Sequence, residues 1–488
     1  MNLVLAGILL YVLAQLAIGL FVARRTHSES DYLLAGRSFG PGVLTMTLFA
    51  TWFGAETCLG SSGEVYSQGL VGARLDPFGY TTCLVMMGLF FAVPLWKRGF
   101  TTLADLFRER FSTGVERLGV ILLVPTSVIW AGAQILAFGH VLSASSELSL
   151  SVAIFLSAAA VILYTTMGGL RADAITDVLQ GGVLIGGLLL LLGIVIYGYS
   201  GGDYPPVDPV RLKPFGAEEE APLAQMEAWC IPLIGSVLSQ ELVARALAAR
   251  SAGVARAACF SSAGLYLAVG MIPVTLGILG PSLMPNLENP EHFLPALAQA
   301  HLNKFLYVLF AGALVSAILS TVDSALLAAG SLFSHNLLLP ILKTRDERIK
   351  LRVSRISVFA FGIVAYLLAL HGGRVRDLVE EASAFGSTGV FVVVVFGLFT
   401  RYGGLLAAYS SLLVGVTVYV LGCYGIPPFP LGSDSEGASA RLLEPIEYPY
   451  LFSLASALVA YVAVGALEAA LVRNRPILME PRPAEEET

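Results

Sequence analysis

The chain has 488 residues, of which 56% are hydrophobic and 13% charged, with a mean hydropathy of +0.77. Soluble globular chains carry roughly 25% charged residues, so this composition excludes a soluble domain and requires a membrane protein. The formal net charge of −6 leaves no basic field for phosphates, which excludes nucleic-acid binding as the main task. Cys58, Cys83, Cys230, Cys259 and Cys423 lie in or beside apolar stretches without paired metal-ligand spacing and read as small core residues.

A spanning helix needs about 20 mostly apolar residues to cross about 30 Å of hydrocarbon. Thirteen such runs are expected, at 2–23, 39–66, 75–96, 118–144, 148–167, 174–198, 224–248, 254–280, 304–338, 353–371, 378–400, 403–424 and 449–472. The run at 378–400 fits least well: it opens on Glu380 and Glu381 and carries Ser383, Ser387 and Thr388. With the N-terminus outside, 22 of the 29 basic residues fall on the cytoplasmic side, as the positive-inside rule demands. That asymmetry predicts an outside N-terminus and a cytoplasmic C-terminus in a plasma membrane. Arg24 and Arg25 follow the first apolar run, the reverse of a signal peptide. The acidic, Pro/Gly-rich loops 199–223 and 425–448 read as extracytoplasmic connectors, and the tail through Glu485, Glu486 and Glu487 as a disordered end.

The second run is interrupted by Phe49-Ala50-Thr51-Trp52-Phe53-Gly54-Ala55-Glu56-Thr57 and then Gly60, Ser61, Ser62 and Gly63. Glycines and hydroxyls weaken a continuous helix, and Glu56 is costly against lipid. Five runs later, Pro232, Gly235-Ser236 and Ser239-Gln240-Glu241 form a comparable break. Secondary transporters use such paired interruptions near the bilayer middle, where unpaired backbone meets ions and substrate. The spacing suggests two five-helix halves, 39–198 and 224–401, flanked by an extra helix and cytoplasmic loop at 1–38 and by two helices and a tail at 402–488, all in one transmembrane unit. The competing reading is that Gly and Ser permit close helix packing, the role expected of Gly182 and Gly186.

The ninth run carries Ala317-Ile318-Leu319-Ser320-Thr321-Val322-Asp323-Ser324. Ser320, Asp323 and Ser324 share a helix face at i, i+3 and i+4. Their oxygens, joined by carbonyls freed at a helix break, suit a hard alkali cation. Serines in membrane helices also bond back to their own backbone, but an intramembrane Asp left unpaired costs at least about 2.5–3.5 kcal/mol. Asp177 follows Gly168-Gly169-Leu170-Arg171 and serves equally as an ion ligand or, with Thr176, as a helix cap.

From Phe49 to about Arg401 the chain resembles the sodium/solute symporters, the family of sodium-coupled sugar, proline, sialic acid and choline carriers. The motifs are Gly168-Gly169-Leu170 through Thr176-Asp177-Val178-Leu179-Gln180, and Ser320-Thr321-Val322-Asp323-Ser324. The resemblance implies an all-α, LeuT-type fold with a five-plus-five inverted repeat, alternating access and uptake driven by one or two sodium ions. It implies a first sodium site from the carbonyls of Ala50, Phe53 and Ala317 and the hydroxyls of Ser320 and Thr321. A second cation site would use Asp177, Ser320 and Ser324, with Asp323 where a serine or similar polar residue is more frequent.

That Asp323, with Thr51-Trp52-Phe53-Gly54, Glu64-Val65-Tyr66, Gly79-Tyr80 and Trp130-Ala131, resembles the choline-carrier branch. Trp52, Tyr80 and Trp130 lie on three different runs and can wall one pocket, where ring faces hold a quaternary ammonium that cannot donate a hydrogen bond; the bland alternative is three ordinary membrane aromatics. Ser239 stands where the choline carriers place another tryptophan, which leaves such a cage incomplete. Glu56 and Glu241 add carboxylates near the two breaks, to meet a cationic amine or, for Glu241, to pair with Arg245. Expected solute contacts are therefore Trp52, Gly54, Glu56, Tyr80, Trp130, Ser239, Gln240 and Glu241. Other solutes (proline, a sugar, a carboxylate), a sodium-independent facilitator and a membrane sensor are the alternatives. No GxxxxGK[ST] or HExxH motif occurs, and no repeated pore motif, so neither an enzyme nor a channel is expected.

Overall fold

The computed structural model describes residues 3–23, 26–144, 146, 148–201, 205–213, 221–425 and 445–473. Arg24, Arg25, parts of the loops 199–223 and 425–448 and the acidic tail lie outside the described residues. Helices run in the order α1 Leu3–Ala23, α2 Glu29–Leu34, α3 Pro41–Trp52, α4 Ser62–Gln68, α5 Tyr80–Met86, α6 Ala92–Arg98, α7 Ala104–Arg110, α8 Thr113–Ala144, α9 Leu150–Ser200, α10 Pro222–Cys230 and α11 Gln240–Leu247. They continue with α12 Ala252–Leu283, α13 Phe293–His301, α14 Lys304–Phe333, α15 Leu339–Leu342, α16 Glu347–His371, α17 Val375–Ala384, α18 Ser387–Phe399, α19 Leu405–Tyr424 and α20 Pro449–Arg473. Among the described residues the sole β feature is an isolated bridge between Phe39 and Ala249.

Nine of the described helical stretches are long and apolar enough to cross a bilayer, or ten when the bent pair Pro222–Gly235 and Gln240–Leu247 counts as one span. Two stretches exceed one crossing. At 1.5 Å per residue, the 51 residues of α9 would extend about 76 Å, more than twice the hydrocarbon thickness. The backbone leaves helical geometry at Gly169 (φ 66°, ψ 178°), where only glycine fits: a Cβ would lie 2.5 Å from the Tyr32 ring. Glu56–Arg98 is likewise interrupted, at Asp76 (φ −143°, ψ 125°).

The small residues expected to pack at Gly182 and Gly186 face open space instead. Close approaches are made by their neighbours: a Cβ on Gly181 would meet the Met46 methyl at 2.8 Å, and one on Gly187 the Ala313 Cβ at 2.5 Å. Spacing alone chose the wrong face of that helix.

The core is one large apolar cluster with two small satellites, around Val65 and Val274 and around Tyr419 and Tyr450, and within it α14 lies against both α8 and α9. α14 is buried from Phe310 to Leu332 with no exposed face. A polar residue on that stretch therefore meets protein, and this is what brings Ser320, Asp323 and Ser324 onto the helix break of α3.

Candidate functional site

α3 ends at Trp52 because Phe53 adopts φ −91°, ψ 73°. The Phe53 N–H still donates to the Phe49 carbonyl at 2.9 Å, but the Ala55 N–H turns away to Gln134 Oε1 at 2.9 Å. Ser320 Oγ lies 2.7 Å from the Ala50 carbonyl and 2.9 Å from the Ala317 carbonyl, and its one proton serves only one of them. Thr321 Oγ1 is 3.2 Å from the same Ala317 oxygen. Oxygens of Ala50, Ala317, Ser320 and Thr321 thus converge beside the break that Phe53 creates, a donor set suited to a small hard cation.

One helical turn further along α14 lies a fully buried charge cluster. Asp173, Asp177 and Asp323 bring carboxylate oxygens within 4.8 Å of one another, the one such group of potential metal ligands among the described residues. Arg245 enters from α11 and donates to Asp173 at 2.6 Å, Asp177 at 3.3 Å, Ser324 Oγ at 2.5 Å and Thr47 Oγ1 at 3.0 Å. The Tyr164 hydroxyl donates to Asp323, and Thr47 to Asp177. One guanidinium cannot neutralise three carboxylates, and Asp177 Oδ1 has no hydrogen-bond partner. The donor set therefore fits a bound cation, because buried uncompensated charge is expensive.

Two sequence expectations change here. Asp177 does not cap a helix: α9 is already helical through Ala172 and Asp173, and the Thr176 hydroxyl bonds back to their carbonyls at 3.0 and 2.8 Å. Arg245 does not pair with the Glu241 carboxylate. It donates to the Glu241 backbone carbonyl at 3.3 Å and spends its charge on Asp173 and Asp177, since the side chain turns toward α9.

On the other flank of the break the structure brings Trp52, Tyr80 and Trp130 together. Trp52 meets Tyr80 and Trp130 at centroid distances of 5.1 and 5.0 Å, and Tyr80 lies 6.2 Å from Trp130. Gln134, one turn beyond Trp130, donates to Glu56 Oε2 at 2.6 Å. Gly54 sits between these groups and the first cation region: a Cβ there would lie 2.6 Å from both Glu56 Oε2 and Thr321 Oγ1. Ser239 ends the second break, and Glu241 lies in the first turn of α11. Trp52 Nε1 is buried without a hydrogen-bond partner, and Trp130 facing Glu56 and Ser239 facing Glu241 leave Trp130 Nε1, Glu56 Oε1, Ser239 Oγ and Glu241 Oε1 short of full hydrogen-bond geometry. Such a concentration of incompletely bonded polar atoms marks a place for a ligand or ordered water. Gln240 is different: its side chain accepts the Leu103 N–H at 2.9 Å and ties α11 to the start of α7.

Sequence reasoning missed Asp173, Asp76, Gln134, Tyr266 and Ser383. Asp173 and Asp177 are an i, i+4 acidic pair, a spacing that repels unless a cation intervenes, so the signal was present. Asp76 accepts from Thr57 at 2.5 Å and Tyr266 at 3.0 Å, and Tyr266 also approaches the Trp52 carbonyl at 3.0 Å. Ser383 lies 3.4 Å from the Tyr80 hydroxyl and 3.1 Å from Ser236. Its place in the polar run of 378–400 was the one hint.

Comparison with known proteins bears on the family and the fold. The profile of the sodium:solute symporter family matches residues 32–415. The chain is 28% identical over 384 residues to the high-affinity choline transporter 1 of Drosophila melanogaster, covering 75% of this chain and 61% of that protein. It is 26% identical over 451 residues to the human high affinity choline transporter 1 (85% and 76%). With the Escherichia coli sodium/pantothenate symporter it shares 26% identity over 437 residues (86% and 88%). Among solved structures, a Na+-coupled sialic acid symporter superposes with a TM-score of 0.78 at 17% identity, over 95% of this chain and 97% of that one. A nucleobase-cation-symport-1 family transporter gives 0.61 at 16%, over 91% and 95%. These likenesses establish the all-helical, LeuT-type fold, and the profile match over most of the sequence establishes that the chain belongs to the sodium:solute symporter family.

Proposed function

We propose that this symporter imports a small cationic organic amine, choline or a relative of it, together with one or two sodium ions. The observation that carries the reading is the joint position of three elements at one helix break. Ala50, Ala317, Ser320 and Thr321 offer oxygens on one flank; Trp52, Tyr80 and Trp130 offer ring faces on the other; Gly54 joins them. Ring faces and the buried Glu56 carboxylate favour positive charge and disfavour a carboxylate solute. Asp177, Asp323 and Ser324, with Asp173 added, form the proposed second cation site; Phe53 completes the first through its carbonyl.

In this reading Leu150–Ser200 and Glu56–Arg98 each contain more than a simple span, which supports thirteen crossings, an outside N-terminus and a cytoplasmic C-terminus in the plasma membrane. The halves 39–198 and 224–401 then alternate access about the break. The outer face is the one reached by the C-terminal ends of α4 and α8. Similarity to choline transporters supports the solute class, and Ser239 in place of a tryptophan speaks for an amine that differs from choline in bulk or in carrying N–H donors.

The test is uptake of labelled choline, betaine, proline and a polyamine into proteoliposomes, with and without an inward sodium gradient. Gradient-driven uptake of a cationic amine, at least tenfold above the sodium-free rate, is expected. Uptake indifferent to sodium would overturn the coupling, and gradient-driven uptake of proline alone would overturn the solute class.

A further inference from the structure

Away from the transport site, His140 near the end of α8 and His292 in the turn Pro290–His292 bring their rings to a centroid distance of 5.7 Å with planes 58° apart. They are 152 residues apart in sequence, so the chain's fold, not local geometry, creates the pair. Neither imidazole has a hydrogen-bond partner among the described residues. His140 is half-buried, whereas His292 is exposed. Both line a cavity of about 180 Å³ that also carries Glu291, Gln299 and Tyr307.

Imidazole is the commonest side-chain ligand of first-row transition metals. Zinc–imidazole bonds of about 2.0–2.1 Å at a tetrahedral angle set ring centres about 5–6 Å apart, which the observed spacing meets. Alkali and alkaline-earth ions prefer oxygen, so this pair is chemically separate from the carboxylate cluster. We propose that His140 and His292 bind a zinc-like transition-metal ion on the outer face, with water and the polar groups of the adjoining cavity filling its remaining positions.

The location gives such an ion a consequence. The Pro290–His292 turn sits directly on α4, where a Cβ on Gly63 would lie 2.7 Å from the Pro290 carbonyl carbon. Glu291 accepts the Arg376 N–H at 3.3 Å, at the head of α17. A metal bridging His292 to α8 would staple this turn to the helix that carries Trp130 and Gln134, and would hinder any separation of the turn from α8 during the transport cycle. External zinc should therefore slow transport without entering the solute or sodium sites.

The binding test needs no transport substrate. The purified, tag-free full chain would be titrated with Zn2+ in a competition-dye assay and by thermal shift. One ion per chain is expected, with His140→Ala and His292→Ala each raising the zinc concentration needed by at least tenfold. His292→Cys, which restores a ligand, is expected to bind within a few-fold of the original. Equal binding by the original chain and both alanine variants would overturn the site, as would a His292→Cys that binds no better than His292→Ala. His301→Ala, at the far end of α13, should bind as the original does; loss of binding there instead would also overturn the assignment.

Discussion

At the scale of single residues, the charge around Asp323 is the most consequential feature. Asp323 reaches Tyr164, while Asp173 and Asp177 share Arg245. In the proposed reading an ion bound there would supply the missing positive charge, so its affinity would depend on each carboxylate. Asp323→Asn keeps the shape and removes one charge. The expected result is at least a tenfold rise in the sodium concentration for half-maximal uptake, with the solute KM at saturating sodium changed by less than threefold. Sodium dependence that does not move would remove Asp323 from ion coupling. Arg245→Met is predicted to behave differently, because it leaves three buried carboxylates with no protein counter-charge. Breaking a buried pair costs about 3–5 kcal/mol, and that variant should lose folded protein in size-exclusion profiles unless high sodium is present throughout.

At the scale of elements, the break at Gly169 shows why some of the architecture was legible and some was not. The paired glycines were readable because a backbone position at φ > 0 calls for glycine. The TDVLQ stretch was readable because its polar residues stand out in an apolar run, although it lies within the helix and not at its start. The partner of the break was not readable. Tyr32, on the short helix α2, donates its hydroxyl toward the Thr166 carbonyl at 3.1 Å and the Thr165 carbonyl at 3.4 Å, covering groups that the kink releases. Nothing in the local sequence of α2 announces a contact more than a hundred residues away. The same holds for Gln134 on Glu56 and Arg245 on Asp173: each residue was visible, but its partner is chosen by how helices cross. Gly182 and Gly186 make the converse point, since small residues at a packing spacing still need a neighbour on that face. Tyr32→Phe tests the kink. Leaving a buried carbonyl unpaired costs about 1–3 kcal/mol, so the thermal midpoint should fall measurably while sodium dependence stays unchanged; an unshifted midpoint would show that water or another group serves those carbonyls.

For the whole molecule, ion pairs between α4 and α17 close over one side of the break, the outer side in the proposed orientation. Glu64 on α4 receives Arg374 at 2.8 Å and Arg376 at 3.2 Å, and Arg376 also holds Glu380 at 2.8 Å. A cavity of about 380 Å³ lined by Gln68, Glu227, Arg376, Glu380 and Glu447 lies beyond these pairs, whereas the space beside Trp130 and Ser239 is only about 20 Å³, room for little more than one water. The ion pairs and the packed rings thus separate this polar-lined cavity from the proposed solute site. Partly exposed ion pairs contribute about 0.2–1 kcal/mol each, enough to bias an access equilibrium about five-fold without locking it. Cys58, buried in the helical segment Glu56–Ser61 that leads into α4, can report that bias. In a background retaining Cys58 alone, Glu64→Gln should speed its modification by a membrane-impermeant thiol reagent several-fold, with added sodium and solute slowing it again. An unchanged rate would mean that the α4–α17 ion pairs decorate a seal made by Trp52, Tyr80 and Trp130, and the same reagent applied to Trp130→Ala would then show the acceleration instead.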